Sequence, residues 1–500
     1  MKKLFNIVIA SAAMLPLVSC GDSFLELTPD TTITAETFYK TATHFEQAIT
    51  AAYVPTRNIA LDGMFMDEMR SDNTFYTMYA GDRGPYSTTE VLALFLDDEL
   101  VNWVPDRYNN VYLGISRANT ILDRMDASEM TEAEKAAYKA EALFLRAYYY
   151  FDLVQHWGGV PLMLHEVTNE SDAFAARSSK EEVYAQIIAD VSEAINLGLP
   201  MATKFPQSGR ATMGAAKMLR AYAYMSQPNK DYKAAEQDLL DITKMGYGLL
   251  DNYEDVFNPA NKNSKESIFE VQYIEDGSTD QYNTIPWRMI PKCSNNDFLM
   301  GIAGSNYAYT SGGWCVPTEE MIASYEPGDK RLDASIAIAV GTEDVRENFT
   351  CSDVKTISDY QPVDGQAAHV FVRKYYHPPY SYSLRAGDNF PVYRYAGALL
   401  LLAENLVAQN RASEALPYVN QVRQRAGLPA LASVNEKAVA DEMRHELAFE
   451  NHPLDRLDPY GQGYRDHERF RRDDEGEIRL DPSGRFQRER EPFGVCVPVA

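Results

Sequence analysis

The chain has 500 residues, 45% of them hydrophobic and 24% charged, enough for a large core and for two or three domains at about 150 residues each. A formal charge of −25 repels polyanions, so nucleic acid is excluded as a partner and a neutral or cationic ligand is easier to hold. The five cysteines (Cys20, Cys293, Cys315, Cys351, Cys496) form none of the close pairs of zinc or redox motifs, so neither a metal site nor a cofactor is expected.

Lys2 and Lys3 precede an apolar run from Leu4 to Leu17 and then "LVSC", which reads as a secretory signal over residues 1–19. The run falls short of the about 20 apolar residues that span a bilayer, so it is a leader and not an anchor helix. Ser19 before Cys20 resembles the lipobox of bacterial lipoproteins, which implies acylation of Cys20 and a body tethered beside the membrane. Four thiols then remain in an export compartment. Cys293 and Cys315 are nearest in sequence, and the connectivity stays open.

Residues 20–250 read as a helical region. Tyr108, Tyr112, Ile115, Ala118, Ile121 and Leu122 recur at helical spacing. Thr131 with Glu132 and Glu134 opens a second helix running towards His156, stopped by Gly158, Gly159 and Pro161. Its "YYYF" run at Tyr148 to Phe151 points in four directions, because successive helical residues lie about 100° apart, so these rings pack rather than form a platform. "GRATMGAAKMLRAYAYMSQPNKDYKAAEQDLLDITKMG" reads as helix, break, helix, and "VYRYAGALLLLAENLVAQNRASEALPYVNQVRQRAGLP" in the C-terminal region 391–452 repeats that plan. Each unit has about the 34-residue length of a tetratricopeptide repeat, so the fold class is mainly α, with helical repeats stacked on one another.

Between these units, residues 251–390 are rich in Gly, Asn, Ser, Pro and Tyr, with short extended pieces such as "SIFEVQY": a long loop-rich excursion of the kind that carries binding. From 453 to 500 the chain holds nine arginines and no lysine, and it reads as an atypical, solvated tail.

A sugar site needs flat rings for the apolar sugar faces, with amides, carboxylates or guanidinium groups beside them. Two stretches offer that mixture. The first holds Asp72, Asn73, Tyr76, Tyr79 and Arg83, followed by Trp103; the second holds Trp287, Asn295, Asn296, Tyr307, Tyr309 and Trp314. An enzymatic reading as a two-carboxylate glycosidase would use Asp97, Asp98 and Glu99, or Glu319 and Glu320, but adjacent acids are poor evidence in a chain holding 72 of them. In "RHELAFENH", His445 and His452 miss the two-histidine spacing of zinc proteases, and the stretch reads as a helix face with a polar edge. Stacked helical repeats also suit a peptide-capturing or purely protein-interacting scaffold.

The blocks "RYNNVYLGISRANTIL", "LRAYYYFDLVQHWGGVPL", "GRATMGAAKMLRAYAYM", "SIFEVQY", "PTEEMIASYEPGDKRLDASI", "YRYAGALLLLAENLVAQN", "ALPYVNQVRQRAGLP" and "RHELAFENH" follow one another in an order that resembles the SusD/RagB nutrient-binding lipoproteins of the outer membrane. The resemblance covers most of the chain up to His452. Beyond it, Pro453, Leu454 and Asp455 depart from the family pattern, which suggests a diverged or frame-shifted end. The resemblance implies a lipid-anchored, surface-exposed protein of the cell outer membrane without catalysis. It would bind a glycan or, in some members, a peptide, and deliver it to a TonB-dependent SusC-like transporter, with the ligand surface built in the same two parts of the chain.

Overall fold

The computed structural model describes residues 35–77, 84–97, 101–302, 312–344 and 348–451. The leader, Cys20, Tyr79, Arg83, Asp98, Glu99, Tyr307, Tyr309, Cys496 and the tail from 453 lie outside the described residues.

Helices α1 (Ala42–Tyr53), α2 (Pro55–Met66), α3 (Trp103–Arg124), α4 (Glu132–Trp157), α5 (Lys180–Leu197), α6 (Met213–Ser226), α7 (Tyr232–Ile242), α8 (Tyr395–Ala408), α9 (Ala412–Arg425) and α10 (Glu436–Leu447) form the frame. From α3 to α9 each helix packs on the next, and α10 closes over α8, so the mainly α, repeat-like architecture expected from the periodicity is present. The starts are chemical. Thr131 accepts from the Glu134 amide while Glu134 reaches back to the Thr131 amide at 2.8 Å, a capping box that fixes α4, and Ser179 with Glu182 does the same for α5. Gly158, at φ 68°, ends α4 in a conformation that a side chain resists.

The "YYYF" run is core. Tyr149 and Tyr150 are fully buried, and their hydroxyls donate to the carbonyls of Ala52 and Met163. Helices α3 and α4 meet closely because of one glycine: a Cβ on Gly114 of α3 would stand 2.4 Å from the Tyr149 ring. Trp157 seals the end of α4 edge-on to Tyr108, with ring centroids 5.2 Å apart.

Among the described residues the strands are β1 (Thr74–Phe75), β2 (Ser267–Val271), β3 (Val316–Pro317), β4 (Ile336–Glu343), β5 (Phe349–Thr356), β6 (Ala367–Val372) and β7 (Phe390–Arg394). They pair antiparallel as β1 with β3, β2 with β7, and a three-stranded sheet in the order β5, β4, β6. The 251–390 excursion is therefore more regular than its composition suggests. The first six residues of β4 are all buried, which erases the polar alternation that announces a strand.

Buried ion pairs lock the excursion to the helices. Glu446 of α10 accepts from Arg394 at 2.9 Å, Arg331 at 3.3 Å and also Arg425; Arg394 in turn holds Glu266 at 3.0 Å and Glu450 at 2.7 Å. Burial raises the Glu446 carboxyl, but Arg425, Arg394 and Arg331 outweigh it and hold the group well below the usual carboxylate range. His445 beside it stacks on Tyr325 at 4.7 Å and meets Ser324 Oγ at 3.0 Å. "RHELAFE" is thus a structural knot.

The three described cysteines are buried free thiols. Cys315 lies beside α2, its thiol donating to the Met64 carbonyl, whereas Cys293 and Cys351 share the core around Trp287. The pair nearest in sequence is therefore split between two cores. Burial pushes the Cys293 thiol up to about 12 and that of Cys351 to about 11, which keeps both protonated.

Candidate functional site

The two stretches nominated for ligand binding meet. Thr74 pairs with Pro317 and Phe75 with Val316, and the Thr318 amide and hydroxyl donate to the carbonyls of Asn73 and Asp72 at 3.0 Å each. This short ladder brings Tyr76, on one side of it, to 6.3 Å from Trp314 on the other, ring to ring. Trp103, at the start of α3, stands edge-on to Trp314 at 6.5 Å. Phe65, near the end of α2, joins them: it stacks on Trp103 at 3.9 Å with planes 23° apart and meets Trp314 edge-on at 5.0 Å. The Arg288 guanidinium lies 5.6 Å from the Phe65 ring and 5.3 Å from that of Trp314, a cation held over aromatic faces.

Backbone chemistry sets the Trp314 ring. Gly313 and Trp314 donate their amides to the carbonyls of Ile290 and Arg288, pinning the segment onto the helix Ile285–Met289. Gly312, at φ 120°, makes that approach possible, because a Cβ there would stand 2.3 Å from the Ile290 carbonyl oxygen. Trp103 is fixed by an Nε1 bond to Thr89 Oγ1 at 3.4 Å. The rings divide by exposure: Phe65 and Trp314, at 0% and 7%, are the buried base, while Tyr76 and Trp103 are half-buried and keep accessible surface.

The remaining nominated residues fall differently. Asp72 is exposed beside the ladder, and Asn73 is buried, accepting from Arg444 Nε at 2.8 Å. Trp287, at 0% exposure, sits in the core with Ile290, Phe349 and Phe371, so its ring offers no face to a ligand. Asn296 is equally buried, donating to the Pro291 carbonyl, and Asn295 clamps the Cys351 backbone through both ends of its amide. These polar groups satisfy loop backbone, a use that composition cannot tell apart from ligand contact. Phe65 and Arg288 went unrecognised because each lies in a short apolar run, "MFM" or "IPWRMI", with no local mark of its role.

Of the acids weighed for catalysis, Asp97 pairs with Arg70 at 3.4 Å and Glu320 with Arg444 at 3.2 Å, while Glu319 opens a short helix capped by Thr318. An internal cleft between α4 and β7 holds a tight ion cluster. Arg107 reaches Asp67 at 3.0 Å and Asp152 at 3.1 Å, and His156 reaches Asp67 at 2.6 Å. Burial and the charge of Arg107 would lower the His156 imidazole, but Asp67 and Asp152 outweigh both and raise it. With about 90 Å³ of space, the cleft has room for a few waters at about 30 Å³ each, too little for a sugar ring.

Two family models match the chain: residues 23–227 match one described as starch-binding associating with outer membrane, and residues 265–457 match the SusD family. The chain belongs to the SusD family. A SusD-like protein, P25, of Formosa agariphila is 25% identical over 494 residues, spanning 90% of this chain and 88% of that one. Among solved structures, a laminarin binding SusD-like protein superposes with a TM-score of 0.70 at 24% identity, covering 86% of this chain and 94% of that one. Surface glycan-binding protein A from Bacteroides thetaiotaomicron, in complex with laminarihexaose, gives 0.66 at 21% identity over 88% and 93%. Both show that this chain has the SusD fold. No helix among the described residues is long and apolar enough to cross a membrane.

Proposed function

We propose that the protein captures an oligo- or polysaccharide at the cluster of Trp103, Tyr76, Trp314 and Phe65 and passes it to a TonB-dependent SusC-like transporter. The observation that carries the reading is the convergence of two distant, loop-rich stretches on one set of rings with a guanidinium above them. Trp103 and Tyr76 present surface to the apolar face of a sugar, while the buried Phe65 and Trp314 hold them in place, so little entropy is lost on binding. Asp72, exposed beside the ladder, supplies an acceptor for sugar hydroxyls.

Acylation at Cys20 retains the protein at the outer membrane surface. Several acyl chains are needed for that, since one gives only marginal binding. The binding role requires no catalytic residue. That relatives are named for starch and laminarin supports a glycan as the ligand class.

The test is calorimetric titration of the leader-free protein against soluble glucan, xylan and mannan oligosaccharides and a set of peptides, with each active glycan checked for cleavage. Binding of one glycan class without new reducing ends supports capture. Peptide binding alone moves the reading to a peptide-capturing member or scaffold of the same transporter complex, and cleavage overturns the non-enzymatic role.

A further inference from the structure

Apart from the aromatic cluster, the edge of the three-stranded sheet borders a groove of about 670 Å³, within the range of roughly 300–1,000 Å³ that ligand sites occupy. Its basic lining is Lys355 at the end of β5, Arg373 just after β6, and His377, and among the described residues no carboxylate lines it, although Asp and Glu outnumber Lys and Arg by 72 to 47 in the chain.

Arg373 is the best-anchored cation of this lining. Its backbone amide donates to the Ser335 carbonyl at 2.7 Å and its Nη1 to the Asp333 carbonyl at 2.9 Å, so the guanidinium is oriented before any ligand arrives. No carboxylate pairs with it among the described residues. The edge formed by Nε and Nη2 is left over, the parallel pair of donors that fits a carboxylate or a sulfate. Lys355 meets Asp353 at 3.3 Å, a solvent-exposed pair worth little and easily exchanged for a ligand anion. His377 gives Nδ1 to Asp388 at 2.6 Å, which leaves Nε2 as the free nitrogen.

Tyr376 forms a rigid wall. Its hydroxyl donates to the Leu299 carbonyl at 2.5 Å and its ring packs edge-on to Phe371 at 5.2 Å. A fixed ring beside a free guanidinium edge suits an acidic sugar: the ring takes the apolar face and the guanidinium takes the charge.

We propose that this groove is a subsite for a carboxylated or sulfated sugar residue, so that the protein holds acidic glycan against its own overall negative charge. The proposal rests on the glycan-capture reading and adds a second place of contact and a charge preference to it.

The experiment compares, by calorimetry at 20 mM and 200 mM NaCl, oligogalacturonate, a sulfated galactan oligosaccharide and a neutral galactan oligosaccharide of matched length. The proteins are the leader-free chain and its Arg373→Gln, Lys355→Gln and Trp103→Ala variants, each with its melting temperature recorded. The expected result is tighter binding of at least one acidic oligosaccharide than of the neutral one, weakened at least tenfold by Arg373→Gln, less by Lys355→Gln, and by added salt. Equal affinity for acidic and neutral chains, or an unchanged acidic affinity in a folded Arg373→Gln protein, overturns it. If Arg373→Gln melts early, the exposed Lys355→Gln decides in its place. Inorganic sulfate competing as well as the sulfated sugar would reduce the groove to a simple anion site and overturn the sugar assignment. Acidic binding that is lost in Arg373→Gln but kept in Trp103→Ala, with no neutral glycan bound anywhere, would sink the aromatic-cluster reading and leave the groove standing.

Discussion

The Phe65 ring lies flat against Trp103, centroids 3.9 Å apart and planes at 23°, while Trp314 stands edge-on to both. One face of Trp103 is therefore fixed by protein, and under the proposed function the accessible remainder of the ring is the part a sugar covers. Trp103→Ala is expected to weaken glycan binding at least tenfold, about 1.4 kcal/mol, and a bound oligosaccharide should shield tryptophan fluorescence from acrylamide in the wild type. Trp287→Phe, a change inside the core, should leave the affinity within about twofold. A Trp103→Ala protein that melts normally and binds as well as the wild type would remove the cluster from the binding surface.

Glu446 gathers three arginine side chains in the interior, and each loses a partner if the carboxylate goes. Glu446→Gln is expected to cost about 3–5 kcal/mol, the usual penalty for leaving buried charge uncompensated, read as a lower urea midpoint with an unchanged slope. Glu320→Gln is the control, because its pairing with Arg444 is on the surface and the Glu320 side chain is 74% exposed. That change should stay within about 0.5 kcal/mol of wild type.

The helices were legible because their signals are local. Thr131 with Glu134 and the Ala215, Leu219, Tyr222 spacing are written within one or two turns, and each became a capped or buried feature of the expected helix. The candidate site was legible only by region. That 72–76 and 314 belong together is a tertiary fact carried by the pairing of Phe75 with Val316, and nothing within either stretch encodes it. Whether an aromatic packs or presents a face was likewise hidden: Trp287 and Trp103 look equally suited in sequence, and only their neighbours separate a fully buried ring from a half-buried one. The basic groove escaped notice for the same reason, since Lys355 reaches it from β5 and Arg373 from the turn after β6, on either side of a central strand that shows no alternation.

The Gly114 position gives a steric test of how the frame is assembled. Its missing side chain leaves the place that the Tyr149 ring fills, and that ring is fully buried with its hydroxyl anchored on Ala52. Gly114→Ala should destabilise the protein by about 1–3 kcal/mol through overpacking. Combining it with Tyr149→Leu, which removes the clashing ring, should cost less than the two single changes added together, a coupling of at least about 0.5 kcal/mol. Strict additivity in chemical denaturation would mean that α3 moves aside without resistance.

Asp62 provides a pH test with a definite sign. It lies on α2 almost without exposure, its Oδ2 has no hydrogen-bond partner among the described residues, and burial raises its carboxyl to about 7 despite the opposing charge of Arg107. Between about pH 4 and 7 the folded chain therefore holds a proton that the unfolded chain, with an ordinary aspartate near 3.9, has released, so this group's contribution to stability falls as pH rises through that window. In Asp62→Asn the dependence disappears. The variant should gain stability relative to wild type from pH 4 to pH 7, by roughly 2–4 kcal/mol at the upper end, and then run parallel to it above pH 8. Acid unfolding below pH 4 should be shared by both proteins, because it draws on groups held below their ordinary range, with Glu446 foremost. Urea midpoints at half-unit pH steps measure the difference directly. Parallel curves from pH 4 to 7 would mean that Asp62 is ionised in the fold and that water or a moving partner reaches its Oδ2.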